Sequence, residues 1–140
     1  MTEKNNFAEV YGKSLAISPK FSMIICDNIR NKYLMSARRI LEDVVSMKRA
    51  LVFRKFNKDL CHKPGLPAAR YPIKASKVFL KLLDSAESNA NNKGLNASNL
   101  FVCYAKADKA ETRSRFGRKG RVNMKSSHIK IRVEERENKK

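Results

Sequence analysis

The chain has 140 residues, 42% of them hydrophobic, and carries 31 Lys and Arg against 13 Asp and Glu, a formal net charge of +18. The length predicts one domain, and the hydrophobic content excludes a wholly disordered basic tail. Such a charge attracts polyanions, so we expect a nucleic acid partner, with an anionic membrane surface as the weaker alternative.

The cysteines, Cys26, Cys61 and Cys103, are odd in number and far apart in the sequence. This spacing argues against a disulfide framework and favours a reducing compartment. No segment approaches the roughly 20 apolar residues of a membrane span, and the N-terminus does not resemble a signal peptide. We therefore expect a cytoplasmic protein.

The first half of the chain predicts one strand and two helices. A flexible tail, residues 1–9, precedes a strand over 10–17. Ser18 and Pro19 suit the N-cap and the first position of a helix, on which Lys20 is a candidate RNA contact. A second helix follows over 34–47, where apolar residues recur at helical spacing.

The stretch 49–71 loses this periodicity and is rich in cations, Pro and Gly. It predicts a long basic loop of the kind that a partner often orders. Arg54 and Lys55 are its candidate RNA contacts. The loop ends at Pro72, which opens a third helix that Gly94 terminates as a C-cap.

Three lysines of this third helix, Lys74, Lys77 and Lys81, share one outer face because they are spaced i, i+3 and i+7. A solvated face is the usual interpretation of such a pattern. The net charge of this chain favours phosphate contact instead.

Two further strands are predicted, over 100–110 and 127–134, the second with clear alternation of apolar and polar residues. They complete a single domain over 10–135, followed by a flexible tail at 136–140. Between them, residues 106–132 hold ten basic residues against two acids, Asp108 and Glu111.

If these strands pair, the segment at about 106–128 forms a β-hairpin arm with its tip near Gly117. From Ala105 to the tip, ~12 residues at strand rise span roughly 40 Å, whereas a domain of this size has a radius of gyration of about 14 Å. We therefore predict a protruding arm, ordered mainly by RNA because a lone hairpin is marginal in water. A disordered basic loop is the alternative, and a DNA-binding ribbon lacks supporting motifs.

The candidate RNA-binding residues outside the loop and helices lie in this segment: Arg113, Arg115, Arg118, Lys119, Arg121, Lys125, Ser127 and His128. Lys and Arg neutralise phosphates and release counterions, which makes affinity steeply salt-dependent. Glycine at positions 117 and 120 allows close approach of RNA. Phe116 is a candidate for stacking on a base or for packing against the neighbouring arm strand.

For catalysis the sequence offers little, because neither histidine has a nucleophile or carboxylate at a telling spacing. Cys61-His62 also lacks the paired close spacings of a structural zinc site. We predict no enzyme activity, no metal and no cofactor.

Four stretches resemble, in the same order, the universal large-subunit ribosomal proteins of the L twenty-two family (L seventeen in eukaryotic naming). They read ISPK at 17–20, LDSAESNA followed by KGL at 83–95, RFGRKGR at 115–121 and SSHI at 126–129. The basic insertion at 49–71 resembles the archaeal and eukaryotic branch. The insertion and the hairpin are both shorter than in typical eukaryotic members.

The resemblance implies an α+β fold, with three helices on a three-stranded antiparallel sheet and a long protruding basic hairpin. It also implies a structural role in the large subunit, with ribosomal RNA and neighbouring ribosomal proteins as partners. The hairpin tip, Phe116, Gly117, Arg118, Lys119, Gly120 and Arg121, would line the exit tunnel and meet the nascent chain.

Two other functions stay open beside this one. A free nucleic-acid-binding regulator would exist largely outside ribosomes. An adaptor for membranes or acidic partners would need a basic amphipathic helix, but the apolar face of the third helix is required for the core.

Overall fold

The computed structural model describes residues 6–136, which form an α+β domain. The helices are α1 (Pro19–Ile29), α2 (Leu34–Val45) and α3 (Ile73–Asn92). The strands are β1 (Phe7–Leu15), β2 (Lys32–Tyr33), β3 (Leu51–Val52), β4 (His62–Lys63), β5 (Leu66–Arg70), β6 (Leu100–Lys109), β7 (Arg113–Ser114), β8 (Asn123–Met124) and β9 (Ser127–Glu135). The predicted fold class and the three helices are confirmed.

The main sheet is antiparallel and has four strands, in the order β1-β9-β6-β2. The predicted three strands were one too few, because the short link between α1 and α2 pairs with β6 as β2. β2 has only two residues, which is too short to show the alternation of apolar and polar residues that predicts a strand. The first strand also begins earlier than predicted, so Phe7 to Glu9 belong to β1 and not to a tail. The outer parts of both predicted tails, residues 1–5 and 137–140, lie outside the described residues.

The basic stretch 49–71 is not the structureless loop that we predicted. β3, β5 and β4 form a small antiparallel sheet of their own. Gly65, at φ +69°, reverses the chain between β4 and β5. Phe53 is 2% exposed and packs edge-on against Phe21 of α1, with ring centroids 5.5 Å apart. This small sheet is therefore anchored to the core.

The core lies between the helices and the main sheet. The inward residues of β9, Ile129, Ile131 and Val133, are completely buried, as the predicted alternation required. They meet fully buried residues of the helices such as Ile25 and Phe79. Burial of this kind contributes about 25 cal/mol per Å² of apolar surface and is the main stabilising term.

Helix α3 runs antiparallel to β1. The Nδ2 of Asn89 donates to the Glu9 carbonyl and the Nζ of Lys93 donates to the Phe7 carbonyl, each at 3.0 Å. Further along, a side chain at Gly12 would lie 3.2 Å from Leu82. The first turn of α3 therefore lies at the end of the sheet where β1 finishes and the hairpin leaves.

The arm is shorter than predicted. β6 and β9 remain paired inside the main sheet as far as Lys109 and Ser127, and β1 reaches the same point through the pair Leu15 and Ser127. Residues 105–109 therefore belong to the body. Only the segment 110–126, which we call the arm, extends past the main sheet.

Candidate nucleic-acid interface

The arm is a ribbon held by few contacts. Its strands pair at two positions, through Arg113 with Met124 and Ser114 with Asn123. Beyond them, the Arg115 amide donates to the Val122 carbonyl at 3.0 Å. Isolated two-stranded ribbons are marginally stable. The arm therefore gains little order from its own hydrogen bonds.

The tip is a tight reversal. Gly117 adopts φ +69°, which an L-residue with a side chain rarely takes. A single turn of 3₁₀ helix spans Gly117–Lys119, and the Gly120 amide donates to the Gly117 carbonyl at 3.0 Å. Phe116 is 98% exposed. It does not pack on the neighbouring strand, which leaves its ring free to stack.

The arm cations have no acidic partners. Six basic residues lie in it, and among the described residues none is within 4.0 Å of a carboxylate: Arg113, Arg115, Arg118, Lys119, Arg121 and Lys125. All six are exposed. Like charges held this close repel one another, and phosphates would relieve that repulsion.

Other predicted contacts lie at the same end of the body. Lys20 stands in the first turn of α1, with its Nζ 5.3 Å from the ring centroid of Phe56. Lys74 and Lys77 stand in the first turns of α3 and are exposed. Lys81, one turn further along, is exposed as predicted. These residues could continue a phosphate-binding surface from the base of the arm.

Arg54 and Lys55 follow β3 and are both exposed. They line a depression of about 600 Å³ together with Asp27 and Lys32. They face the second half of α1, from which Asn28 also lines this depression.

Ser127 is a correction to the predicted RNA contacts. It is completely buried, and its hydroxyl donates to the Ile17 carbonyl at 3.0 Å. His128 is half-buried, and its Nδ1 accepts from the Ser14 amide at 3.1 Å. It also stacks on Tyr11 with ring centroids 6.0 Å apart. Both residues fasten β9 to its neighbours at the base of the arm.

The acidic residues lie mainly elsewhere and neutralise body cations. Glu9 on β1 binds Lys130 at 3.1 Å and also pairs with Arg132. On the helices, Arg38 binds both Asp84 and Glu87 at 2.6 Å. These cations of the sheet and of α2 therefore have acidic partners, whereas the arm, which lies wholly within the described residues, holds six cations and a single acid, Glu111, which forms no ion pair with them.

The cysteines and histidines form no metal site in the part of the chain that the structure describes, where no cluster of three or more His, Cys, Asp and Glu occurs. Burial raises the pKa of the Cys26 thiol to about 12, so this cysteine is an inert core residue. Among the described helices, none combines the length and the apolarity that crossing a membrane requires.

Sequence reasoning missed three cations, Lys32, Arg39 and Arg49. They are distant in the sequence, yet they line one depression beside α2. Only the pairing of β2 with β6 brings Lys32 to this place.

Comparison with known proteins gives a match over residues 10–134 to the family described as ribosomal protein L22p/L17e. Similar proteins include the large ribosomal subunit protein uL22 of Methanosphaera stadtmanae, 40% identical over 89% of this chain and 86% of the relative. The uL22 of Archaeoglobus fulgidus is 41% identical over 81% of this chain and 76% of the relative. That of Methanocaldococcus jannaschii is 38% identical over 91% and 87%.

Proposed function

Because this chain belongs to the L22p/L17e family and is a structural constituent of the large ribosomal subunit, we propose that its arm binds large-subunit ribosomal RNA and that the arm tip lines the nascent-peptide exit tunnel. The family is not enzymatic. The observation that carries the proposal is the arm itself, which has six exposed cations and, among the described residues, no carboxylate within 4.0 Å of them.

The mechanism is electrostatic clamping. Each arm cation that meets a phosphate releases condensed counterions, so binding weakens as salt rises. Phosphate contacts position a protein without reading base sequence. The arm would thus be fixed by the folded shape of the RNA, and Gly117 and Gly120 would let the backbone approach it closely.

The RNA-binding part is tested with a triple variant of the arm tip, Arg118→Gln, Lys119→Gln and Arg121→Gln. Its affinity for large-subunit RNA is measured between 50 and 200 mM salt. Loss of three phosphate contacts should reduce the slope of log K against log salt by about 2 to 3. The matched control removes three exposed body cations, Lys13, Lys106 and Arg136. Equal slopes in the two variants would reject the arm as the RNA-binding element.

The tunnel part is tested with a photo-reactive phenylalanine analogue at position 116 in ribosomes carrying a stalled nascent chain. Phe116 should crosslink to the nascent chain. The same analogue at Tyr104, a 40% exposed ring on the body sheet, should not. Crosslinks to RNA alone from position 116 would rule out tunnel lining while leaving RNA binding intact.

A free nucleic-acid-binding regulator is the alternative to a ribosomal protein. Sedimentation of the tagged protein from lysate at moderate and high salt distinguishes the two. Co-migration with large subunits at both salts is the expected result. Free protein at the top of the gradient, with none in the ribosomal fractions, would favour the regulator.

A further inference from the structure

A second cationic surface lies away from the arm, along the chain that links α1 to α2. Two depressions of about 590 and 600 Å³ flank this link, and Asn31 and Lys32 line both of them. Arg39 and Arg49 line the first depression, and Arg54 and Lys55 line the second. We call these two depressions together the trough.

Backbone geometry fixes the trough cations in place. Asn31 adopts φ +59°, and its amide donates to the Val102 carbonyl at 2.9 Å, which sets Lys32 against the edge of the sheet. At the end of α2, the Asp43 carbonyl accepts the amides of Lys48 and Arg49, at 2.9 and 3.2 Å. The surface is therefore part of the folded body and does not depend on the arm.

The trough has excess positive charge that the protein does not neutralise. Six cations line it, and among the described residues Arg30 alone of these lies within 4.0 Å of a carboxylate; the other five are Lys32, Arg39, Arg49, Arg54 and Lys55. Its two acids are Asp27 and Asp43. Asp27 faces Arg30 at 3.8 Å, and Arg30 in turn donates to the Ala105 carbonyl at 2.6 Å.

Lys32 lies at the centre and has the least favourable surroundings. Burial, and secondly the charge of Arg49, lower the pKa of its ammonium group. An anion seated between the two side chains would oppose both effects, because its negative charge favours the ammonium form. Arginine forks, which occur on both sides of Lys32, suit phosphate oxygens particularly well.

We propose that the trough is a second phosphate-binding track for RNA, centred on Lys32 and independent of the arm. RNA is favoured as the occupant because six cations, five of them without an ion-pair partner among the described residues, face two acids across a surface that is continuous on both sides of Lys32. This assignment depends on the proposed RNA-binding function and adds to it three residues that the sequence did not suggest.

The test uses the full chain and large-subunit RNA, with the triple variant Lys32→Gln, Arg39→Gln and Arg49→Gln. If three phosphate contacts are lost, the slope of log K against log salt should become shallower by about 2 to 3. Between 50 and 200 mM salt, the unmodified protein should then lose about 16- to 64-fold more affinity than the variant does. The body-cation control, Lys13, Lys106 and Arg136 to Gln, should keep the original slope.

The arm variant separates this proposal from the proposed function. Independent tracks predict that the arm and trough effects on the slope add, and that hydroxyl-radical footprints lose different RNA protections. A trough variant that behaves like the control, while the arm variant does not, overturns the trough alone. That result is also the one expected if an acidic protein occupies the trough. If neither variant differs from the control, RNA binding through these surfaces is rejected altogether.

A double variant, Arg39→Gln with Arg49→Gln, guards against a folding defect, since both side chains are exposed and Lys32 is left in place. The double variant should make the slope of log K against log salt shallower by about 1.5 to 2. An unchanged slope in a double variant with an unaltered unfolding transition would likewise overturn the trough proposal.

Discussion

Ser127 has its hydroxyl wholly inside the protein, where it joins the start of β9 to the segment before α1. The predicted RNA contact placed this polar residue at the surface because it stands beside a basic segment. The strand alternation that buries Ile129 and Ile131 also buries Ser127, which lies two residues before Ile129. A polar residue on the inner face must find an internal partner, and the Ile17 carbonyl provides it.

Replacement of Ser127 by Ala should therefore destabilise the fold and leave RNA binding unchanged. The buried Ile17 carbonyl would lose its donor, at a cost of about 1 to 3 kcal/mol in unfolding free energy. Urea unfolding measures the loss, with the half-buried Ser126→Ala as a control near zero. If Ser127→Ala instead makes the slope of log K for RNA against log salt shallower and leaves the unfolding free energy unchanged, Ser127 contacts RNA after all.

The thiols should differ sharply in reactivity. Cys61 is exposed, whereas Cys26 is 1% exposed and burial raises its pKa to about 12. The thiolate is the reactive form, so maleimide should label Cys61 first and Cys26 only upon unfolding. Mass spectrometry of timed samples gives the order, and Cys61→Ser should remove the fast phase. Early labelling of Cys26 in folded protein would contradict its place in the core.

Among the elements, β1 is attached to β9 by an ion-pair cluster as well as by backbone pairing. Glu9 binds Lys130 and Arg132 across the strands, and Arg132 also lies over the Phe7 ring at 4.4 Å. Burial opposes ionisation of Glu9, but hydrogen bonds from the two cations outweigh it, so its pKa lies below the ordinary 4.5. The ionised carboxylate therefore favours the folded state.

Because the pKa of Glu9 is lower in the folded protein, its contribution is complete above about pH 4.5 and disappears as the pH falls through the folded value. Glu9→Gln should be less stable than the unmodified protein at pH 7, and the difference should shrink toward pH 3. Urea midpoints at pH 7, 5 and 3 test this. The control Glu135→Gln, at an exposed residue, should show no such convergence. A constant difference across pH would mean that Glu9 acts through packing alone.

At the scale of the whole molecule, charge is segregated. Carboxylates pair with cations of the sheet and of α2, while the arm and the trough keep theirs free within the described residues. A net charge of +18 opposes compaction of the free protein. Bound polyanions should therefore neutralise part of this positive charge and stabilise the folded protein.

The isolated protein should melt at a higher temperature with added salt, and higher still with heparin as a model polyanion. Salt screens repulsion, with a Debye length of about 10 Å at 0.1 M. A ligand at about 100 times its Kd adds about 2.7 kcal/mol to unfolding. The arm triple variant should respond less to heparin than the body-cation control does. A melting temperature that heparin leaves unchanged would contradict this account of the charge.

Much of this protein was predictable from local patterns. Helical spacing gave three helices, Gly94 does lie at the end of α3 with φ +76°, and alternation gave the buried face of β9. The arm was predictable as a cationic hairpin because its charges are consecutive in the chain. These features depend on neighbours in the sequence, so the sequence alone can determine them.

Long-range pairing decided the rest. β2 is a strand only because β6 lies beside it, and the small sheet of β3, β4 and β5 exists because Gly65 reverses the chain and Phe53 reaches α1. The same pairing shortened the arm, buried Ser127 and collected Lys32, Arg39 and Arg49 around one trough. The sequence by itself determined the three helices, the long strands, the charge and the resemblance to the family. Only the tertiary structure decided the short strands and which cations share a surface, because both depend on contacts between segments far apart in the chain.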